Sequence, residues 1–173
     1  MRPLKLLSLF SGIGAPERAL ENEGIPFELV AYCEVDPPTA KAYSLIHNVD
    51  ESMNLGDITK VNPQDVPGCD LIMHGSPCQS FSIVGKKQGG QRGSGTTSSL
   101  LWYSVEIIKA KHPRFVVWEN VPNVLSDKNL PVFMEYIDTL AGEGYENSFD
   151  TLNSKDFGVA QDRQRLFCIS RLA

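Results

Sequence analysis

Residues 4–16 read Leu4-Lys5-Leu6-Leu7-Ser8-Leu9-Phe10-Ser11-Gly12-Ile13-Gly14-Ala15-Pro16, an apolar run that breaks into a glycine turn and then a proline. A short apolar run bounded by glycine reads as a buried strand, Leu4 to Phe10. Proline suits the first turn of a helix, so Pro16 to Glu23 follows as one. The same alternation continues outward. Phe27 to Val35 is a second strand, Pro38 to His47 a helix, and Asp70 to His74 a short strand ending at Gly75. Leu101, Val105 and Ile108 share one face of a helix over Leu100 to Ala110, ahead of a β-branched strand from Arg114 to Trp118. Phe133, Tyr136, Ile137 and Leu140 repeat the helical spacing within Pro131 to Ala141, with Gly142 or Gly144 to stop it. Two final strands fall near Glu146 to Leu152 and Arg165 to Arg171. This order predicts an α/β fold: a doubly wound, mostly parallel sheet with helices on both faces, forming one domain over residues 1–173.

Composition excludes several classes. At 173 residues, 42% hydrophobic and 21% charged, the chain is neither fibrous nor disordered, and its length suffices for a packed core. No apolar run approaches the roughly 20 residues that span a bilayer, and Met1-Arg2-Pro3-Leu4-Lys5 lacks the order of a secretory signal. A cytosolic protein with no membrane partner is expected. Cys33, Cys69, Cys78 and Cys168 and the histidines His47, His74 and His112 lie far apart, without zinc-ligand spacing. Free thiols and no metal site are expected. The net charge of -5 argues against a generally basic surface. Residues 1–78 carry 5 basic and 11 acidic side chains, whereas 79–173 carry 11 and 10. Lys86, Lys87 and Arg92 stand in an acid-free, glycine-rich segment, 79–98, which by charge alone reads as a solvated loop.

In doubly wound sheets ligands sit beyond the carboxyl ends of the strands, so those ends are where chemistry is sought. After the first, Gly12 and Gly14 permit a tight turn and close approach of a ligand to the helix amino terminus. The second strand ends in Glu34, twenty residues beyond Gly14, where a carboxylate can accept from ribose hydroxyls. A nucleoside-containing cofactor follows. Ala15-Pro16 replaces the third glycine of the dinucleotide pattern, which favours a ligand without a pyrophosphate. Asp57, in Gly56-Asp57-Ile58-Thr59, either accepts from an adenine amino group or caps its own turn. Cys78, in Gly75-Ser76-Pro77-Cys78-Gln79-Ser80-Phe81-Ser82, follows a strand and precedes cations, a setting that favours a nucleophilic thiolate. Cys33, Cys69 and Cys168 read as packing. Glu119, in Glu119-Asn120-Val121, needs a partner or a raised pKa at the end of an apolar run, and would serve as proton donor or anchor. In an extended Gln161-Asp162-Arg163-Gln164-Arg165, the first, third and fifth side chains share a side, offering two guanidinium forks to a phosphate or a pyrimidine carbonyl.

Together these motifs, in this order and covering nearly the whole chain, resemble the C5-cytosine DNA methyltransferase family. The resemblance implies a Rossmann-like methyltransferase fold, S-adenosylmethionine as cofactor and a flipped cytosine in DNA as substrate. It implies that Phe10, Gly12 and Gly14 line the methionine and ribose, that Glu34 holds the ribose hydroxyls, and that Val35 and Ile58 flank the adenine. Asp57 would take the adenine amino group, Leu100 would line the cofactor pocket, and Pro77 would order the nucleophile's turn. Cys78 would attack C6, Glu119 would hold N3 and the exocyclic amine, and Arg163 and Arg165 would position the base and its backbone. Gln79, Ser82, Lys86 and Lys87 would then grip the nucleic acid rather than merely be solvated. Family members continue beyond the Gln-x-Arg-x-Arg strand with a target-recognition region and a terminal helix, so a second polypeptide supplying those parts is expected for activity. An interaction module that keeps the fold without catalysis, and a tRNA cytosine methyltransferase, are alternatives with the same motifs.

Overall fold

The computed structural model describes residues 2–77 and 97–173. Its elements are β1 (Leu4–Leu9), α1 (Ala15–Asn22), β2 (Phe27–Cys33), α2 (Pro37–His47), β3 (Leu71–His74), α3 (Leu101–Lys111), β4 (Phe115–Asn120), α4 (Leu130–Gly142), β5 (Tyr145–Asn153) and β6 (Gln164–Leu172). Each lies within about two residues of its expected span. The sheet order is β2-β1-β3-β4-β6-β5. β1 to β4 are mutually parallel, and β6 runs antiparallel to both β4 and β5.

The antiparallel strand departs from the simple alternation of β and α, and its cause is the connection. A parallel pair needs a crossover of a dozen residues or more, usually through a helix. Between Asn153 and Gln164 there is only a 3-10 turn, Ser154–Phe157, and a bend. The chain therefore folds back as a hairpin, and β6 inserts between β4 and β5.

Alternation along the strands sorts the core into two faces. Leu7, Leu9, Ile72, Val116, Trp118, Leu166 and Cys168 pack with Val105 and Ile108 of α3 and with Phe133, Tyr136 and Leu140 of α4. On the other face Leu6 and Leu71 meet Leu20 of α1, with Met73, Phe115 and Val117 partly buried around them. Ile169, which pairs with Val117, remains 51% exposed. Helices thus lie on both faces, as expected, but the second is only partly covered. Direction reverses at β1, whose neighbours are β2 on one side and β3 on the other, so the crevice lies beyond Leu9 and His74.

His74 closes β3, fully buried, with its ring parallel to that of Trp118 at a centroid separation of 6.0 Å and its Nε2 3.2 Å from the Tyr136 hydroxyl. Burial lowers its pKa from 6.5 to about 3. The folded chain therefore keeps a neutral ring where the unfolded chain takes up a proton. Stability is full above about pH 6.5 and falls as the pH drops towards 3, by on the order of 1 kcal/mol per pH unit from this group. Urea unfolding across that range is expected to show the slope, and His74→Asn to flatten it whatever its effect at neutral pH. An unchanged slope in the variant would assign the acid sensitivity elsewhere.

Candidate active site

The turn after β1 is built around main-chain geometry that few residues tolerate. Gly12 and Gly14 take φ of 56° and 85°, and Phe10 takes 54°, a left-handed conformation that costs a residue with a Cβ about 1–2 kcal/mol. The turn is tied down by Ser11 N–H donating to Cys33 O (3.1 Å) and Gly14 N–H to Ser11 O (2.9 Å). Gly14 caps α1 without a side chain, and His47 of α2 bonds Ile13 O through Nε2 at 3.0 Å. A Cβ on Gly14 would collide with that imidazole. Gly14→Ala is accordingly expected to cost about 1–3 kcal/mol of stability and to distort the turn. Thermal melting together with S-adenosylhomocysteine titration checks this; a variant that melts and binds like the parent would refute the turn's role.

Glu34 stands at the mouth of this turn, immediately after β2. Its Oε2 accepts from Gly12 N–H (3.0 Å) and its Oε1 from Asp36 N–H (2.9 Å), so the carboxylate bridges the first two strand ends. Each oxygen keeps a lone pair for a further donor. Val35 beside it is 67% exposed, an apolar surface at the rim. Asp57 caps the 3-10 turn Ile58–Lys60: Oδ1 accepts from Thr59 N–H (3.0 Å) and Thr59 Oγ1 (2.8 Å), while Oδ2 lies 3.8 Å from Lys60 Nζ. Those bonds to Thr59 hold its carboxyl below the usual range. The capping alternative is thus realised, with Oδ2 left for another donor. Ile58 is 4% exposed and belongs to the main core, so its side chain gives a ligand little surface. Phe10 and Leu100 are half-buried against the same core, Leu100 at the start of α3.

A second group gathers where β3, β4 and β6 end. Glu119 Oε1 pairs with Arg165 Nε at 2.9 Å, with side-chain exposures of 37% and 25%, so the carboxylate has the partner its position demands. Arg165 also donates from a terminal nitrogen to Gln164 O (2.7 Å), which fixes the guanidinium plane. A Cβ on Gly75 would lie 3.4 Å from Glu119 Oε2, so the turn after β3 runs directly against the carboxylate. Trp118 Nε1 donates to Ser76 Oγ and Asn120 Nδ2 to Ser76 O, both at 3.2 Å. β4 thereby pins the residues that lead into Pro77, the last described before position 78. Cys78, Gln79, Ser82, Lys86 and Lys87 lie outside the described residues.

The extended reading of residues 161–165 holds only in part. Gln161 lies in a bend, because Asn153 draws the chain round: its Nδ2 donates to Asp162 Oδ1 (2.7 Å) and its Oδ1 accepts from Arg163 N–H (3.2 Å). The strand begins at Gln164, so alternation aligns Arg165 with the Glu119 face and leaves Gln161 out. The packing cysteines behave as such: burial pushes the thiols of Cys33, Cys69 and Cys168 up to about 12, 11 and 11.

A glycine with open space beside it, Gly12, a helix amino terminus, a carboxylate with spare acceptor capacity and an exposed apolar rim are a set that fits an adenosyl group. Comparison with known proteins gives the family. The model of the C-5 cytosine-specific DNA methylase family matches residues 4–173. The chain belongs to that family.

The chain is 41% identical over 169 residues to orphan methyltransferase M.SPRI of Bacillus phage SPR, covering 98% of this chain and 38% of that protein. It is 32% identical over 183 residues to type II methyltransferase M.NlaIV of Neisseria lactamica, covering 99% and 42%. The chain therefore spans about two fifths of the length of these curated relatives. The crystal structure of Schizosaccharomyces pombe Dnmt2 methyltransferase superposes with a TM-score of 0.77 at 22% identity, over 98% of this chain and 49% of that one. Entamoeba histolytica methyltransferase EhMeth gives 0.82 at 19%, over 100% and 54%. The shared fold is the Rossmann-like methyltransferase fold. Among the described residues no group of three or more His, Cys, Asp or Glu side chains could hold a metal, and no helix is long and apolar enough to cross a membrane.

Proposed function

We propose that this chain is the catalytic part of a DNA (cytosine-5) methyltransferase that uses S-adenosylmethionine. The observation that carries the reading is the Glu119–Arg165 pair set against Gly75, on the turn that leads into Cys78, at the same sheet edge as the Gly12–Glu34 bridge. The cofactor, when bound, supplies an electrophilic methyl group. Phe10, Gly12 and Gly14 line its methionine and ribose, Glu34 accepts from the ribose hydroxyls, and the exposed Val35 flanks the adenine, with the buried Ile58 backing that side from the core. Asp57 takes the adenine amino group through Oδ2, and Leu100 and Pro77 complete the lining.

Cytosine C5 is a poor nucleophile until a thiolate adds at C6, and covalent addition divides one difficult step into easier ones. The Cys78 sulfur forms a bond to C6 while Glu119 holds N3 and the exocyclic amine, which places the displaced electron pair on C5. C5 would take the methyl group, with S-adenosylhomocysteine as the leaving group; the C5 proton then leaves to water, its electrons restore the C5–C6 double bond, and the S–C6 bond breaks to return the Cys78 thiolate. Arg165, held by Glu119, and Arg163 position the base and its phosphate. The target atom is inaccessible in stacked DNA, so the base is extruded at a cost of a few kcal/mol. Gln79, Ser82, Lys86 and Lys87 grip the backbone around it.

The chain's net charge of -5 supplies little of the phosphate neutralisation that dominates DNA affinity. We therefore propose that the isolated chain binds DNA weakly and without sequence choice. Polypeptide outside these residues, of the kind that makes up the rest of the relatives' length, supplies recognition and packs on the half-covered sheet face around Val117 and Ile169. The test is transfer of labelled methyl groups to duplex DNA and to tRNA, with and without such a complementing chain. Incorporation into DNA only when complemented is expected. Transfer by the chain alone would refute the dependence, and transfer confined to tRNA would refute the substrate.

A further inference from the structure

The loop that returns from α2 towards β3 contains an asparagine to which the mechanism gives no role, yet its amide makes three hydrogen bonds. Asn54 pairs with Tyr32 as an isolated parallel bridge, and Leu55 N–H donates to Tyr32 O at 2.7 Å. From that backbone position the side chain reaches two residues further along, to Glu34. Its Oδ1 accepts from Glu34 N–H at 3.0 Å and its Nδ2 donates to Glu34 O at 2.9 Å. The amide thus stands where a neighbouring strand's peptide would stand, and it continues the pairing of β2 one residue past its end at Cys33. The same Oδ1 also accepts from Gly56 N–H at 2.9 Å. Three of the four bonds open to a primary amide are therefore spent on main-chain groups of two different loops.

Both loops belong to the cofactor site. Glu34 carries the carboxylate that bridges Gly12 and Asp36, and Gly56, at φ 70°, opens the turn capped by Asp57. The Cys33 thiol donates to Gly56 O at 3.0 Å, so the peptide unit after Gly56 is held as well. With its main chain pinned on both sides, Glu34 can vary only through its side chain, which two backbone N–H groups already orient. Among the described residues, Asn54 is the side chain that hydrogen-bonds both the Glu34 backbone and the Gly56 backbone.

We propose that Asn54 is a positioning residue for the cofactor, setting the spacing between the ribose-binding carboxylate of Glu34 and the adenine-side turn at Gly56–Asp57. It touches no cofactor atom and acts through the two loops it joins. The proposal rests on the reading of Glu34 as the ribose acid. Leaving the partners of one amide unmet costs about one to two hydrogen bonds' worth of binding order, so Asn54→Ala is expected to weaken S-adenosylhomocysteine binding by about 10- to 30-fold.

The test is a double-mutant cycle of Asn54→Ala with Glu34→Ala, read by calorimetric titration with S-adenosylhomocysteine, beside amide hydrogen exchange on the unliganded chain. Exchange is expected to quicken at Glu34 and Gly56 in Asn54→Ala while the amides of β1, β3 and β4 keep their protection. In the Glu34→Ala background the further loss from Asn54→Ala is expected to shrink to about threefold or less, as coupled neighbours behave. Asn54→Asp keeps both acceptor bonds but sets an oxygen against Glu34 O, and should fall between parent and alanine variant. Independent, multiplying losses overturn the proposal, as does unchanged exchange at Glu34 and Gly56 or a general loss of protection without a binding penalty. A parent chain that does not bind S-adenosylhomocysteine, or a Glu34→Ala variant that binds like the parent, instead strikes the reading beneath it, and does so before any Asn54 variant is compared.

Discussion

Glu119→Gln is expected to lower methyl transfer to cytosine by about 10²- to 10⁴-fold, the range of a positioned acid–base group. The amide matches the carboxylate in shape and can still accept from Arg165, so packing at the end of β4 should survive. What it loses is charge and the ability to gain and release a proton. Cytosine N3 becomes more basic as the thiolate adds at C6, and the adduct is stabilised most by a group that can transfer a proton to N3 at that moment, which an amide N–H, though able to hydrogen-bond there, cannot do. Because β3 separates Glu119 on β4 from the Gly12–Glu34 bridge after β1 and β2, S-adenosylhomocysteine binding should be unchanged, which separates a lost catalytic group from a disturbed fold. Arg165→Ala should give a smaller loss in the same assay, since it leaves the carboxylate without the partner at 2.9 Å but still able to reach the base. Transfer rates within threefold of the parent in Glu119→Gln would remove the carboxylate from the mechanism.

Cys78→Ser carries the larger expected effect, a fall of about 10⁴-fold or more, because a serine hydroxyl is almost never ionised at neutral pH whereas a free thiol is ionised to a few per cent. The other cysteines cannot substitute. Burial pushes Cys33, Cys69 and Cys168 up to about 12, 11 and 11, so they stay protonated through the neutral range, and Cys33 already donates its proton to Gly56 O. Stopped assays of the complemented enzyme would measure the loss, with DNA binding as the control that should persist. Residual transfer within tenfold of the parent would mean that another group attacks C6.

The parts of this molecule legible in its sequence are those where a residue type is forced by its place. The glycines after β1 answer to positive φ, the apolar runs answer to burial, and an acid at the end of β2 or β4 must find a donor. Strand direction was less legible, because a period of two is the same in either direction; what turns β6 round is the lack of a crossover helix between Asn153 and Gln164. Gln161 was misplaced for a related reason. Spacing within an extended segment presumes the strand has begun, and Asn153 delays it to Gln164 by bending the chain through Asp162 and Arg163. Asn54 was missed altogether, and His47 and Asn120, though quoted, were given no role of their own. Their partners are the backbone atoms of Glu34, Gly56, Ile13 and Ser76, and a carbonyl or amide leaves no mark in the residue that carries it. The only available signal was an asparagine two residues before a Gly-Asp turn, a spacing common in ordinary loops.

The account stands on one proposal: that Cys78, three residues beyond the Gly75 that lies against Glu119, attacks a cytosine held by the Glu119–Arg165 pair. Its most direct measurement is mechanism-based trapping. The chain, with its complementing polypeptide and S-adenosylmethionine, is incubated with duplex DNA in which the target base is 5-fluorocytosine, from which the fluorine cannot depart as the proton does. The account predicts a protein–DNA adduct that survives denaturation, maps to the peptide bearing Cys78, and is absent from Cys78→Ser. Methyl transfer to ordinary cytosine with no adduct on the fluorinated base, or an adduct on a different residue, would contradict it.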